Sequence, residues 1–136
     1  MESLHIKGSE ESPEVTLDKA SGTFRISGKS YMEDVQAFFD ETLQWLETYS
    51  KSPNEHTDFE FVIEYVNTAS TKIVLDILGI LDKMHKQNHK IKVHWNYYED
   101  DEDMLDLGNE MRDMFELDFE IKEIRFGQSR TMFPVE

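Results

Sequence analysis

The block Asn67-Thr68-Ala69-Ser70-Thr71 puts three hydroxyls and a carboxamide within five residues, directly after the apolar run Phe59 to Val66 and before a second apolar stretch that reaches Met84. The first run reads as a strand and the second as a helix, so the polar block falls at a helix N-terminus. Asn67 or Thr68 suits the N-cap, because a short polar side chain there accepts a bond from an otherwise orphan N–H of the first turn. The same orphan donors, with the positive end of the helix dipole, welcome a phosphate. A threonine at this point is a neutral group that a kinase would convert into a carrier of about −1.5 to −2 charge. The plainer reading of the same residues is an ordinary capped helix.

Other chemistries are less well represented. His85 and His89 stand four apart, the spacing of two metal ligands on one helix face, but the lysines around them suggest a solvated basic end and no third ligand is near in sequence. The five acids Glu99 to Asp103 offer hard oxygen ligands for magnesium or calcium, yet they lack the alternation and glycine of a calcium loop. Acids also stabilise a helix start through its dipole, so a solvated first turn is the simpler account. Glu60 and Glu64 would share a strand face two pleats apart, without a cue for a raised pKa. The six glycines are too scattered for a Walker or dinucleotide pattern. These residues point to no catalytic site, no resident metal and no cofactor.

The elements that must hold the hydroxyl block fit a single domain over 1–136, with 1–13 and 128–136 as flexible ends; 136 residues at 38% hydrophobic content suffice for one core. Leu4 to Ile6 forms a short strand. Val15/Leu17 and Phe24/Ile26 alternate about the turn Lys19 to Gly22 as a β-hairpin that Gly28 ends. Ser30 and Glu33 have the spacing of a capping box, and Met32, Val35, Phe38, Phe39, Thr42, Leu43, Leu46 and Tyr49 follow helical periodicity. Ser50 to Thr57 is a loop. The helix after Thr68 carries Val74, Ile77, Leu78, Leu81 and Met84 on its main stripe, with Ile73, Leu75 and Ile80 widening the arc beyond what one buried face needs. Asn88 ends that helix. Ile91 to Tyr97 alternates as a strand. The acids open a third helix whose Met104, Leu107, Gly108, Met111, Met114 and Phe115 face inward. The last strand runs Phe119 to Phe126, with a change of apolar phase between Ile121 and Ile124 that suggests a bulge. Strands alternating with helices after a hairpin give an α/β fold: a mixed sheet under about three helices, with right-handed crossovers. The hydroxyl block then lies at the carboxyl end of a strand, where such sheets usually carry function.

A net charge of −15 repels nucleic acid and anionic membranes alike, leaving a protein partner. The absence of cysteine excludes disulfides and thiolate chemistry. The start Met1 to Lys7 has neither the basic residues nor the apolar run of a signal peptide, and no run of about 20 apolar residues occurs, so a cytoplasmic protein is expected.

Two blocks, Glu64-Tyr65-Val66-Asn67-Thr68-Ala69-Ser70-Thr71-Lys72 before a leucine-rich helix and Trp95-Asn96-Tyr97-Tyr98-Glu99-Asp100-Asp101-Glu102-Asp103-Met104, resemble the SiaC family of bacterial regulatory phosphoproteins. The likeness extends from Val15 through Ile26-Ser27-Gly28 to the last strand. It implies a fold similar to STAS domains and anti-sigma factor antagonists, and a partner-switching role. On that likeness a protein kinase would phosphorylate the first threonine of the block, a PP2C-type phosphatase would reverse it, and the unmodified form would engage an effector, in one branch of the family a diguanylate cyclase controlling aggregation and biofilm formation. Thr68 matches the family phosphosite; Ala69 stands where serine is expected in many relatives. Ser70 and Thr71 are the alternatives, placed inside the helix rather than at the strand end. The partner surface expected from this reading comprises Asn67, Thr68, Ser70, Lys72, Ile73 and Ile80. The competing function is a small metal-dependent enzyme using residues 99–103.

Overall fold

The computed structural model describes residues 1–125. Its elements are β1 (Leu4–Ile6), β2 (Glu14–Asp18), β3 (Thr23–Ser30), α1 (Val35–Ser50), β4 (His56–Val66), α2 (Thr68–Lys86), β5 (Lys90–Tyr98), α3 (Glu102–Met114) and β6 (Asp118–Ile124). The six strands form one sheet in sequence order, antiparallel across β1, β2 and β3 and parallel from β3 to β6. Each helix joins adjacent parallel strands and each step moves the same way across the sheet. Right-handed crossovers therefore place all three helices on one face. No helix among the described residues is long and apolar enough to cross a membrane.

Alternation along the strands sorts the two faces. Val15, Leu17, Phe24, Ile26, Phe59, Phe61, Val93 and Trp95, each at most 2% exposed, meet Leu46, Ile77, Leu78 and Leu81 of the helices. The face without helices carries the ion pairs Arg25–Glu60 at 3.1 Å and Lys92–Glu120 at 3.0 Å and a hydrogen bond between His94 and Asp58 at 2.8 Å, with Val62 and Ile124 buried on the same face. The Lys92 ammonium, hydrogen-bonded to Glu120, holds that carboxyl below its ordinary range, and the carboxylate in turn raises Lys92.

Several expected boundaries move, each for a local reason. Ser30 is not a helix cap: β3 continues past Gly28 to Ser30, and Asp34 caps α1 by accepting from Ala37 N–H at 3.0 Å. β4 begins at His56, within the expected loop, because Thr57 is buried against the Tyr49 hydroxyl at 2.7 Å. α2 ends at Lys86. Asn88 takes the left-handed conformation (φ 72°) there, and the N–H groups of Asn88 and His89 bond back to His85 and Met84 carbonyls. His89 is thus beyond the helix, not on a face shared with His85. Met114 is 62% exposed rather than inward, and Phe115 lies past the end of α3. β6 keeps register with β5 throughout, so the phase change before Ile124 is no bulge; Ile124 simply points to the opposite face from Phe119. Of the ends expected to be flexible, 1–13 includes β1, while 128–136 and Phe126 lie outside the described residues.

The one register shift among the described residues lies elsewhere. Gly28 pairs with Ile63 but Lys29 pairs with Tyr65, so β4 carries Glu64 as an extra residue. Gly28 has φ +116°, a conformation that side chains rarely adopt.

At the other end of the core Gly108 lets α3 approach Trp95, where an added Cβ would stand 2.5 Å from the ring Cδ1 and 2.6 Å from Nε1. Gly108→Ala is expected to destabilise the fold. The helix-propensity gain of ~1 kcal/mol is outweighed by overpacking of ~1–3 kcal/mol against a ring with nowhere to go. Urea unfolding of the variant measures the balance, and a stabilised variant would contradict it.

Candidate functional site

The carboxyl ends of β3 and β4 and the first turn of α2 build the site. The apolar alternation of β4 ends at Val66, and Asn67 leaves it in an extended conformation (φ −87°, ψ 174°) as the N-cap of α2. Between the two candidates for the cap, Asn67 has the role: its Oδ1 accepts from Ser70 N–H at 2.8 Å. Its carbonyl accepts from Thr71 N–H at 2.9 Å and from the Thr71 hydroxyl at 3.1 Å. Removing the cap in Asn67→Ala is expected to cost ~1 kcal/mol, measurable by thermal or urea unfolding; an unchanged midpoint would contradict the role.

The three hydroxyls have different fates. Ser70 is 1% exposed and its Oγ accepts from Ser30 Oγ at 2.7 Å. Thr71 is half-buried and its hydroxyl is spent on Asn67. Thr68 is exposed, at the first helical position, where N–H groups have no intrahelical acceptor. Ser30 also receives the Asn67 N–H on its carbonyl at 3.0 Å, so the end of β3 holds the turn twice.

The bulge explains an exposed aromatic pair that sequence reasoning missed. Period-two alternation through Phe59, Phe61 and Ile63 would bury Tyr65, but the extra residue Glu64 turns it to the helix-free face opposite Lys29. There Tyr65, 50% exposed, meets Tyr31, 39% exposed, edge to face at 5.6 Å. The glycine within an otherwise alternating β3 was the available signal.

The remaining expected site residues scatter. Lys72 is exposed one turn beyond Thr68. Ile73, 2% exposed, belongs to the core and offers no surface. Ile80 is half-buried and lines a shallow groove of about 460 Å³ between α1 and α2 with Leu43, Leu75 and Gly79, edged by Glu47, Asp76 and Lys83. α1 therefore covers part of the wide apolar arc. In the acidic block Asp101 caps α3, accepting from Met104 N–H at 3.1 Å, and Glu102 and Asp103 lie in its first turn. His85 and His89 line a cleft of about 410 Å³ with His56 at the far edge of the sheet from Thr68. Among the described residues no three His, Asp or Glu side chains stand where they could hold a metal ion.

A mixed α/β sheet with helices on one face presents an exposed threonine at a capped helix start. The particular family follows from comparison. The chain belongs to the SiaC family: the model of the SiaC family regulatory phosphoproteins matches residues 6–124. It is 27% identical over 122 residues to an uncharacterized protein of Pseudomonas aeruginosa strain UCBPP-PA14, a match that covers 90% of this chain and 97% of that one. Apo-SiaC of Pseudomonas aeruginosa is similar in structure, with TM-score 0.81 and 25% identity over 90% of this chain and 99% of that one. So is SiaC in the crystal structure of the diguanylate cyclase SiaD in complex with its activator SiaC, with TM-score 0.84 and 26% identity over 89% of this chain and 99% of that one.

Proposed function

We propose that this protein is a non-enzymatic partner switch. A protein kinase phosphorylates Thr68, a PP2C-type phosphatase restores it, and the unmodified form binds and activates an effector, a diguanylate cyclase by analogy with the SiaD–SiaC pair. The observation that carries the reading is the division among the hydroxyls: Ser70 and Thr71 are bonded within the turn, and Thr68 alone is exposed. A phosphate on Thr68 would find free first-turn N–H donors and the positive end of α2, which favour the charged form. The surface offered to a partner runs from Thr68 and Lys72 past the Tyr31–Tyr65 pair on one side and toward the Ile80 groove on the other.

Phosphopeptide mapping after co-expression with the cognate kinase tests the site. Modification is expected on Thr68 and is expected to vanish in Thr68→Ala; phosphate persisting in that variant would show the assignment wrong. The competing metal-enzyme reading gains nothing from the acidic block, where Asp101 is engaged as a cap.

A further inference from the structure

We propose that Ser30 is a positioning residue for the Thr68 switch, an inference that rests on the reading of Thr68 as the phosphorylated residue. Three features of β3 and β4 converge on it. The extra residue Glu64 shifts the register by one, so that Val66 lies opposite Ser30, whose side chain faces the helix side of the sheet in phase with Phe24 and Ile26. Gly28, at φ +116°, supplies the backbone conformation at that step. Ser30 is then 2% exposed and makes two bonds to the switch turn: its carbonyl accepts from Asn67 N–H at 3.0 Å and its hydroxyl donates to Ser70 Oγ at 2.7 Å. Bulges commonly re-aim a side chain beside a functional site; here the re-aimed residues are Tyr65 and Val66 of β4, and Ser30 beside them reaches the turn that presents Thr68.

The consequence is chemical as well as structural. Ser70 is the third helical residue, and its N–H is the donor that Asn67 caps. With Ser30 bonded to both Asn67 and Ser70, the first turn of α2 is fixed as an anion cradle before any phosphate arrives. A preorganised donor array interacts more strongly with the charge placed in it than one that must first be ordered. Without the Ser30 hydroxyl the turn keeps its Asn67 cap and the backbone bond to the Ser30 carbonyl but loses the side-chain tie to Ser70, and the first-turn N–H groups hold a phosphate less firmly.

Phosphothreonine placed at position 68 by genetic encoding, followed by phosphorus NMR across a pH titration, reads this directly. A free phosphothreonine loses its second proton near pH ~6. In the intact protein the midpoint is expected below that value, because the first-turn N–H groups and the helix dipole favour the dianion. Ser30→Ala is expected to move it back up by roughly 0.3–0.5 of a pH unit, and Ser30→Thr, which keeps the hydroxyl, to restore it. Ser70→Ala removes the same hydroxyl bridge from the other side and is expected to shift the midpoint in the same direction, which covers the case in which Ser30→Ala does not fold. Midpoints in both alanine variants equal to that of the unsubstituted phosphoprotein would overturn the role of Ser30. That outcome is separable from failure of the switch itself, which shows in effector binding and not in this titration.

Discussion

Trp95→Ala is expected to lower the unfolding free energy by roughly 3–5 kcal/mol, a large share of the ~5–15 kcal/mol that holds an ordinary domain together. The side chain is 1% exposed at the centre of the sheet. Its ring contacts Phe61 at 5.4 Å and Phe119 at 6.3 Å between centroids, tying β4, β5 and β6 on the helix side. Its Nε1–H donates to the Met104 carbonyl at 2.9 Å, fastening the first turn of α3. The alanine variant leaves a cavity beneath Gly108 and loses the indole bond to the Met104 carbonyl, so the transfer, cavity and hydrogen-bond losses act together. Trp95→Phe keeps most of the ring and is expected to lose less. Urea unfolding with an unchanged slope would measure both, and a loss under about 1 kcal/mol in Trp95→Ala would contradict the packing described.

The elements could be read from sequence wherever periodicity and local chemistry agreed. The alternation of Val15, Leu17, Phe24 and Ile26 gave the hairpin, and the stripe from Val74 to Met84 gave α2. The capped helix start at Asn67 or Thr68 was also legible, because strand, short polar residue and apolar helix follow one another without a gap; only the structure gives the cap to Asn67. Ser30 was not. Its spacing to Glu33 satisfied a capping pattern, while its actual partner stands 40 residues away, across the pairing of β3 with β4 that no local pattern encodes. Tyr65 was hidden for the same reason, since one extra residue reverses every side chain beyond it. Ile73 and Ile80 looked equivalent at the edges of the α2 arc, and tertiary packing separated them: the first is core and the second lines the groove beside α1.

Phosphate on Thr68 is expected to weaken effector binding more than about a hundredfold, corresponding to ~3 kcal/mol. The side chain is exposed in a turn that is fixed before binding, so the unmodified surface needs little reordering to dock. A phosphate there brings close to two negative charges, which a docking partner must desolvate at the contact or meet with an acidic surface of its own. The chain already carries a net charge of −15, which gives the added charge no cationic surplus to neutralise it. Thr68→Asp is expected to weaken binding in the same direction, and Thr68→Ala to retain it, with the fold unchanged in both. The decisive measurement is titration of the effector, at physiological salt, with protein carrying phosphothreonine at position 68 and with the unmodified protein. The account predicts tight binding by the unmodified form and at least a hundredfold loss on phosphorylation; equal affinity for the two forms would contradict it.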